Sequence, residues 1–192
     1  MARFTNQAQL RYGNAVTNSN IAVGEILEVL SATKTAVRNT YGQSDTVTYI
    51  VSIVNSGTTP ITGISVTDNL GEYTFGTTTL VPLTYIDGTV KYYVNGVLQP
   101  SAVVTAGPPL VVSGITVPAG GSVTVAYEAA VNEFAPLDTT SVINNTAIVA
   151  GTGITPITAE EEITVESTPV LTITKSVSPV PVTENGTLTY TF

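Results

Sequence analysis

Short runs of alternating apolar and polar residues make up most of the chain. Residues 47–54, 61–66 and 122–131 read VTYIVSIV, ITGISV and SVTVAYEAAV. Side chains with a period of two line opposite faces of a β-strand, and turn residues interrupt these runs about every eight to twelve positions. Because no long stretch has helical periodicity, the pattern predicts an all-β, immunoglobulin-like β-sandwich. Asn95-Gly96, which lies between two apolar runs, predicts a type I′ hairpin.

The start of the predicted sandwich is repeated near the end of the chain. Residues 29–50 read VLSATKTAVRNTYGQSDTVTYI and residues 170–191 read VLTITKSVSPVPVTENGTLTYT, aligned without a gap at an offset of 141 (175 − 34). The identical positions are Val29, Leu30, Thr33, Lys34, Thr46, Thr48 and Tyr49, matched by Val170, Leu171, Thr174, Lys175, Thr187, Thr189 and Tyr190. We therefore expect the opening strands of a second copy in this C-terminal segment.

The N-terminal segment is similar to the other end of the same unit. Residues 4–8 read FTNQA and residues 143–147 read INNTA, so Asn6 matches Asn145 at an offset of 139 (145 − 6). Repetition at both ends predicts a sandwich with partial repeats at its termini. The predicted boundaries are the end of one repeat at 1–27, a complete repeat at 28–168, and the opening strands of a following repeat at 169–192.

Four segments of the complete repeat carry a family resemblance. They are TKTAV, then DTVTYIVSIVNSGTTPITGISVTDNL, then ITVPAGGSVTVAYEAAV, then INNTAIVAG. In this order they resemble the bacterial surface-repeat family called domain of unknown function eleven, over about residues 28–168. The resemblance implies a β-sandwich spacer or fibre module of a long tandem-repeat protein. It implies an extracellular, cell-surface or appendage location, although no signal peptide is visible after Met1.

The amino-acid composition excludes several classes of function. The 192 residues include no Cys and no His, which excludes disulfides, His acid–base catalysis and zinc ligation by Cys or His. The net charge of −8 argues against nucleic acid and anionic membrane surfaces, and no apolar run approaches the roughly 20 residues that span a bilayer. Calcium ligation by Asp68, Glu72 or Asp87 lacks loop-ligand spacing. We therefore expect no enzyme activity, no cofactor, no metal and no membrane insertion.

Three polar residues lie on faces that the alternation predicts to be apolar. Lys34 shares a face with Leu30, Ala32 and Ala36, while Asp68 shares one with Ile64, Val66 and Leu70. Asn145 likewise shares a face with Ile143, Ala147 and Val149. An unpaired buried charge costs several kcal/mol, so Lys34 should have a partner inside the sandwich.

A lysine, an asparagine and a carboxylate in an apolar pocket can form an isopeptide bond. Burial favours the neutral amine, and a protonated acid polarises the asparagine carbonyl. The arrangement resembles Gram-positive pilin and adhesin sandwiches, in which a first-strand lysine meets a last-strand asparagine. Two alternatives remain: a plain buried Lys34–Asp68 ion pair, and a shifted register that turns these residues to solvent. Glu128 is a weaker acid candidate because it lies opposite the apolar face of its strand.

Lys175 and Asn6 repeat this pattern at the termini. They suggest that one chain's C-terminal strands complete a sheet with the N-terminal hairpin of the next, giving head-to-tail fibres with a Lys175–Asn6 link. The alternative is that these segments are parts of adjacent repeats in a longer chain. A different class of function is an adhesin-type binding module for glycan or protein, with Tyr73, Tyr85, Tyr92 and Tyr93 as an aromatic platform.

Overall fold

A computed structural model describes residues 2–26, 28–100, 102–166 and 173–192, which form β-strands, turns and loops and contain no helix. Over these ranges, therefore, nothing helical is long and apolar enough to cross a membrane. Val170 and Leu171 of the predicted repeat, and the predicted boundaries after residues 27 and 168, fall outside the described ranges.

The N-terminal segment holds four strands and the C-terminal segment two. They are β1 (Ala2–Asn6), β2 (Gln9–Tyr12), β3 (Ala15–Asn18), β4 (Ala22–Ile26), β19 (Ser176–Ser178) and β20 (Thr189–Thr191). The strands between them are β5 (Leu30–Ala36), β6 (Thr40–Tyr41), β7 (Thr46–Asn55), β8 (Ile61–Asp68), β9 (Tyr73–Phe75), β10 (Thr78–Leu80), β11 (Leu83–Tyr85), β12 (Lys91–Val94), β13 (Val97–Leu98), β14 (Val103–Thr105), β15 (Leu110–Val117), β16 (Ser122–Val131), β17 (Val142–Ala150) and β18 (Ile157–Val165).

Two sheets form the central sandwich, and the predicted all-β fold is confirmed. The first has the order β13-β12-β16-β7-β5, with β11 also pairing with β16, and the second has the order β14-β15-β8-β17-β18-β6. Side chains alternate strictly between buried and half-exposed along β16, as the two-residue period predicts. Asn95 and Gly96 join β12 to β13 with positive φ at both residues, as the predicted type I′ turn requires.

The first two strands of the sandwich, β5 and β6, lie in different sheets. β5 pairs antiparallel with β7 in the first sheet, whereas β6 pairs parallel with β18 in the second. β5 begins where Leu30 faces Asn55, and β18 ends where Val165 faces Tyr41, beyond the far end of β5. The chain therefore enters the sandwich at one end and leaves it at the other.

Apolar side chains between the sheets form two clusters. The first includes Tyr49, Leu70, Tyr127, Ile143 and Ile163, and the second includes Val51, Val66, Val125, Ala147 and Val149. Members of both clusters come from the same strands, so the clusters lie one after the other along the sandwich.

Strand pairing in the N-terminal segment matches that of β17 and β18. Asn6 pairs with Ala22 and Phe4 pairs with Gly24 in β1 and β4. Adding the offset of 139 gives residues 145, 161, 143 and 163, and these pair in the same way in β17 and β18. Residues that align at this sequence offset therefore also have the same strand pairing in the structure.

The C-terminal hairpin likewise matches β5 and β7. Val177 pairs with Tyr190 in β19 and β20, and Ala36 pairs with Tyr49 at an offset of 141. The turns correspond as well, because Ser44 and Asn185 both have positive φ (65° and 60°). One strand pattern therefore produces the same local structure twice in the chain.

Candidate functional site

The structure places Lys34, Asp68 and Asn145 in the core, with relative exposures of 4%, 1% and 0%. Lys34 lies on β5 in the first sheet, while Asp68 on β8 and Asn145 on β17 face it from the second sheet. β8 and β17 are neighbours, and Asp68 pairs directly with Ala147. Asp68 and Asn145 therefore project from adjacent strands towards the same part of the interior.

These polar residues form a row between the two apolar clusters. On β8, Val66 belongs to the second cluster and Leu70, just beyond the strand, belongs to the first, with Asp68 between them. On β17, Asn145 separates Ile143 of the first cluster from Ala147 of the second. The apolar material on both sides excludes water and strengthens electrostatic interactions within the row.

Asp68 is the centre of the hydrogen-bond network. Its Oδ2 accepts a hydrogen bond from Lys34 Nζ at 2.6 Å and another from the Tyr127 hydroxyl at 2.6 Å. Its Oδ1 accepts from the Leu70 backbone N–H at 3.0 Å. Both carboxylate oxygens are thus bonded in a site without solvent access, as a buried carboxylate requires.

Lys34 occupies a position that weakens its hold on the proton. Burial lowers the pKa of the ammonium from 10.5 to about 8, although Asp68 and, more weakly, Glu161 act to raise it. The Nζ atom lies 4.9 Å from the centroid of the Tyr49 ring. Lys34 therefore loses its proton at a pH closer to neutrality than an exposed lysine does. Nucleophilic attack needs this neutral amine.

Both ends of the Asn145 amide are held. Nδ2 donates to the Tyr127 hydroxyl at 3.1 Å, and Oδ1 accepts from the Gly71 backbone N–H at 3.1 Å. Gly71 has φ of +74°, and a Cβ at this position would lie 2.6 Å from Ile143 Cγ2. Glycine is therefore needed at this position to bring its N–H to the amide oxygen of Asn145.

Two tyrosines line the first-sheet side of the row. The rings of Tyr49 and Tyr127 stack with centroids 5.6 Å apart. Burial raises the pKa of both phenols, so both remain protonated at neutral pH. The Tyr127 hydroxyl joins Asp68 to Asn145, whereas that of Tyr49 makes no hydrogen bond with any described residue.

The sequence pattern did not identify Tyr127, Gly71 and Glu161 as parts of the site, although it placed Tyr127 on the apolar face of its strand. Tyr127 shares the buried face of β16 with Val123 and Val125, as the alternation predicts. Glu161 pairs with Asn145 across β17 and β18 and is half-buried on the face that carries Ala159 and Ile163. Glu128 lies on the opposite face of β16 from Tyr127, in agreement with its expected position.

The terminal residues Lys175 and Asn6 are exposed. Lys175 Nζ lies 4.5 Å from the Tyr190 ring centroid and 5.1 Å from that of Phe192. The Lys175–Tyr190 contact repeats that of Lys34 with Tyr49. Equivalents of Asp68 at the two offsets would be residues 209 (68 + 141) and −71 (68 − 139), outside the 192 residues. The Lys175–Asn6 link therefore stays a prediction.

The four tyrosines proposed as a binding platform do not form one exposed patch. Tyr85 is buried in the first apolar cluster, and Tyr92 packs against the second. Tyr93 follows Tyr92 on β12 and so points to the other face of the sheet. The aromatic platform expected from the sequence is therefore wrong, because strand alternation separates its members. Among the described residues, no group of three or more acidic side chains could hold a metal ion.

Solved structures of pilins are similar to this chain. The full-length major pilin SpaD of Corynebacterium diphtheriae superposes with a TM-score of 0.51 at 15% identity, covering 69% of this chain and 33% of the pilin. The pilus backbone RrgB of Streptococcus pneumoniae gives 0.49 at 14% identity, covering 63% and 31%. A variant of BcpA, the major pilin subunit of Bacillus cereus, gives 0.49 at 10% identity, covering 84% and 47%.

These comparisons define the fold class. The similarity to SpaD shows a common β-sandwich fold, and this chain spans about a third of that pilin's length. No family model matches the chain, and no curated protein matches its sequence. The resemblance to the surface-repeat family, noted from the sequence, stays a prediction.

Proposed function

We propose that this chain is a β-sandwich module that carries tension in a bacterial surface fibre and is strengthened by an isopeptide bond between Lys34 and Asn145. The observation that carries the proposal is the buried row in which Asp68 contacts Lys34 at 2.6 Å and Tyr127 joins Asp68 to Asn145. The major pilin SpaD has the same fold, which supports a structural role at the cell surface or in an appendage.

Each residue of the row has a role in bond formation. Lys34 transfers one proton to Asp68 and becomes a neutral amine, which attacks Cγ of Asn145. The Gly71 N–H stabilises negative charge on the amide oxygen of Asn145, while Asp68 holds the proton taken from Lys34. The Lys34 Nζ–Asn145 Cγ bond forms and the Cγ–Nδ2 bond breaks. The products are a secondary amide, a protonated Asp68 and one ammonia, so the charges of Lys34 and Asp68 disappear together.

The position of this bond suits a protein under tension. The chain enters at the start of β5 and leaves at the end of β18, at opposite ends of the sandwich. A bond from Lys34 on β5 to Asn145 on β17 would carry the load directly between these ends. Residues 35–144, which number 110 (144 − 35 + 1), would then be shielded from the force.

The terminal hairpins support a modular arrangement of such sandwiches. Their strand registers match β17–β18 at one end and β5–β7 at the other. In this proposal they belong to neighbouring repeats, or they complete a sheet with a second copy in a head-to-tail fibre. A Lys175–Asn6 link would need an acid from a further segment. A heat-resistant ladder on a denaturing gel that disappears with Lys175→Ala would support the link.

Pulling single chains from both ends tests the mechanical proposal. In Asn145→Ala, unfolding should release residues 35–144 and lengthen the chain by about 350 Å, at about 3.3 Å per residue. The wild type should lack this step, and so should Asn144→Ala, because Asn144 is exposed on the opposite face of β17. A step of that length in the wild type would overturn the proposal and leave Lys34–Asp68 as a plain ion pair.

A further inference from the structure

Isopeptide formation requires a proton donor for the leaving nitrogen. Amide Nδ2 of Asn145 must gain a proton before it departs as ammonia, and general acids supply such protons through hydrogen bonds. The hydrogen bonds of Asp68 go to Lys34, Leu70 and Tyr127. Asn145 Nδ2 donates to Tyr127. The Tyr127 hydroxyl is therefore the described group that contacts both the acid and the leaving nitrogen.

We propose that Tyr127 is a catalytic residue that relays a proton from Asp68 to Nδ2 of Asn145. The geometry consists of two hydrogen bonds at one oxygen, 2.6 Å to Asp68 Oδ2 and 3.1 Å to Asn145 Nδ2. This inference rests on the proposed isopeptide function and adds to it the route by which the leaving group is protonated.

Every proton in this relay has a source and a final position. Lys34 begins as an ammonium with three protons, and the final amide nitrogen keeps one of them. The first of the other two passes to Asp68, which then donates it to the Tyr127 oxygen while Tyr127 donates its own proton to Nδ2. Nδ2 can accept this proton because it regains its lone pair when attack makes Cγ tetrahedral. The second proton passes from the attacking nitrogen to Asp68, and ammonia leaves.

Surroundings suit Tyr127 to a relay, because its hydroxyl bonds to Asp68, whereas no hydrogen bond joins the Tyr49 hydroxyl to this acid. The hydroxyl of Tyr127 stays protonated because burial and the adjacent Asp68 carboxylate both raise its pKa. It therefore passes protons on and does not act as a base. Tyr49 stacks against it in the same interior, yet its hydroxyl has no hydrogen bond with a described residue. The stacked pair thus provides a test residue and a matched control.

The test follows ammonia loss by intact mass after synthesis of the full chain in a cell-free system, with samples quenched in acid. Tyr127→Phe keeps the stacked ring and removes the hydroxyl, and bond formation should slow about a hundredfold, typical of a lost general acid. Tyr49→Phe should slow the reaction far less, because the Tyr49 hydroxyl makes no hydrogen bond with Asp68. Equal rates for the two variants would overturn the relay, whereas no ammonia loss in the wild type would overturn the proposed function itself.

A second variant separates chemistry from folding. A ring-fluorinated tyrosine at position 127 retains the hydroxyl and nearly the same shape, so it should restore the reaction to within about threefold of the wild-type rate. Thermal unfolding of Tyr127→Phe, compared with Tyr49→Phe, shows whether the variant folds. A fluorotyrosine chain that folds but remains as slow as Tyr127→Phe would contradict a relay through the hydroxyl.

Discussion

Lys34 and Lys175 align at the sequence offset of 141 but differ in their surroundings. Lys34 lies on β5 and Lys175 directly precedes β19, and their Nζ atoms lie 4.9 and 4.5 Å from the centroid of a tyrosine ring. Lys34 is buried against Asp68, whereas Lys175 is exposed. The strand pattern is thus sufficient for the hairpin and the cation–π contact. The acid and the amide come from β8 and β17, which only the complete sandwich supplies.

Replacing Lys34 or Lys175 by alanine should give the largest difference in the free energy of unfolding. Lys34→Ala removes the proposed crosslink and leaves Asp68 buried without its Lys34 partner, so the free energy of unfolding should fall by at least about 3–5 kcal/mol. Lys175→Ala removes an exposed side chain and should change it by less than about 0.5 kcal/mol. Denaturant unfolding measures both. Equal losses would mean that Lys34 contributes no more than a surface residue.

Dependence on pH should distinguish a free Lys34 from a crosslinked one. In Asn145→Ala, the folded pKa of Lys34 is expected to stay near its value of about 8, below the unfolded value of 10.5. The unfolded chain then binds more protons between these values, so stability should rise with pH from about 8 to about 10. Above pH 10, the raised pKa values of Tyr41, Tyr49 and Tyr127 act in the opposite direction.

Thermal unfolding across this pH range provides the measurement. Crosslinked wild type and Asn144→Ala should lack the rise, because an amide nitrogen does not titrate in this range. A rise of the same size in all three proteins would show that Lys34 remains a free amine in the wild type.

Two consecutive glutamates on β18 allow a small effect on the pKa of Lys34 to be measured. Glu161 faces Asn145 from the half-buried side of the strand, and Glu162 is exposed on the other side. In the Asn145→Ala background, Glu161→Gln removes an anion that favours the charged lysine, so the pKa of Lys34 should fall. Glu162→Gln should leave the pKa of Lys34 unchanged. NMR titration of the Lys34 side chain reports both, and equal shifts would assign the effect to net charge alone.

Much of the fold and part of the site could be predicted from the sequence. The two-residue period identified strands and faces, and it identified Lys34, Asp68 and Asn145 as inward because face assignment needs only local alternation. Asn95-Gly96 predicted its turn for the same reason, since positive φ is a property of the residues themselves.

The rest of the site depends on strand order, which local pattern does not specify. Tyr127 reaches Asp68 because β16 faces β8 across the sandwich, and Gly71 reaches Asn145 because β8 lies beside β17. The tyrosine platform was wrong for a related reason. Tyr85 and Tyr92 lie on short strands whose inward faces become known only when their partners are placed.

Intact mass of the purified wild-type chain tests the central claim most directly, with peptide mapping to locate any crosslink. A crosslinked chain should have a mass lower by one ammonia and should yield a branched peptide that joins Lys34 to Asn145. Asn144→Ala should show the same loss, and Asn145→Ala should have the full mass of its sequence. A wild-type chain with its full calculated mass would contradict the crosslink and leave a sandwich held by the Lys34–Asp68 ion pair.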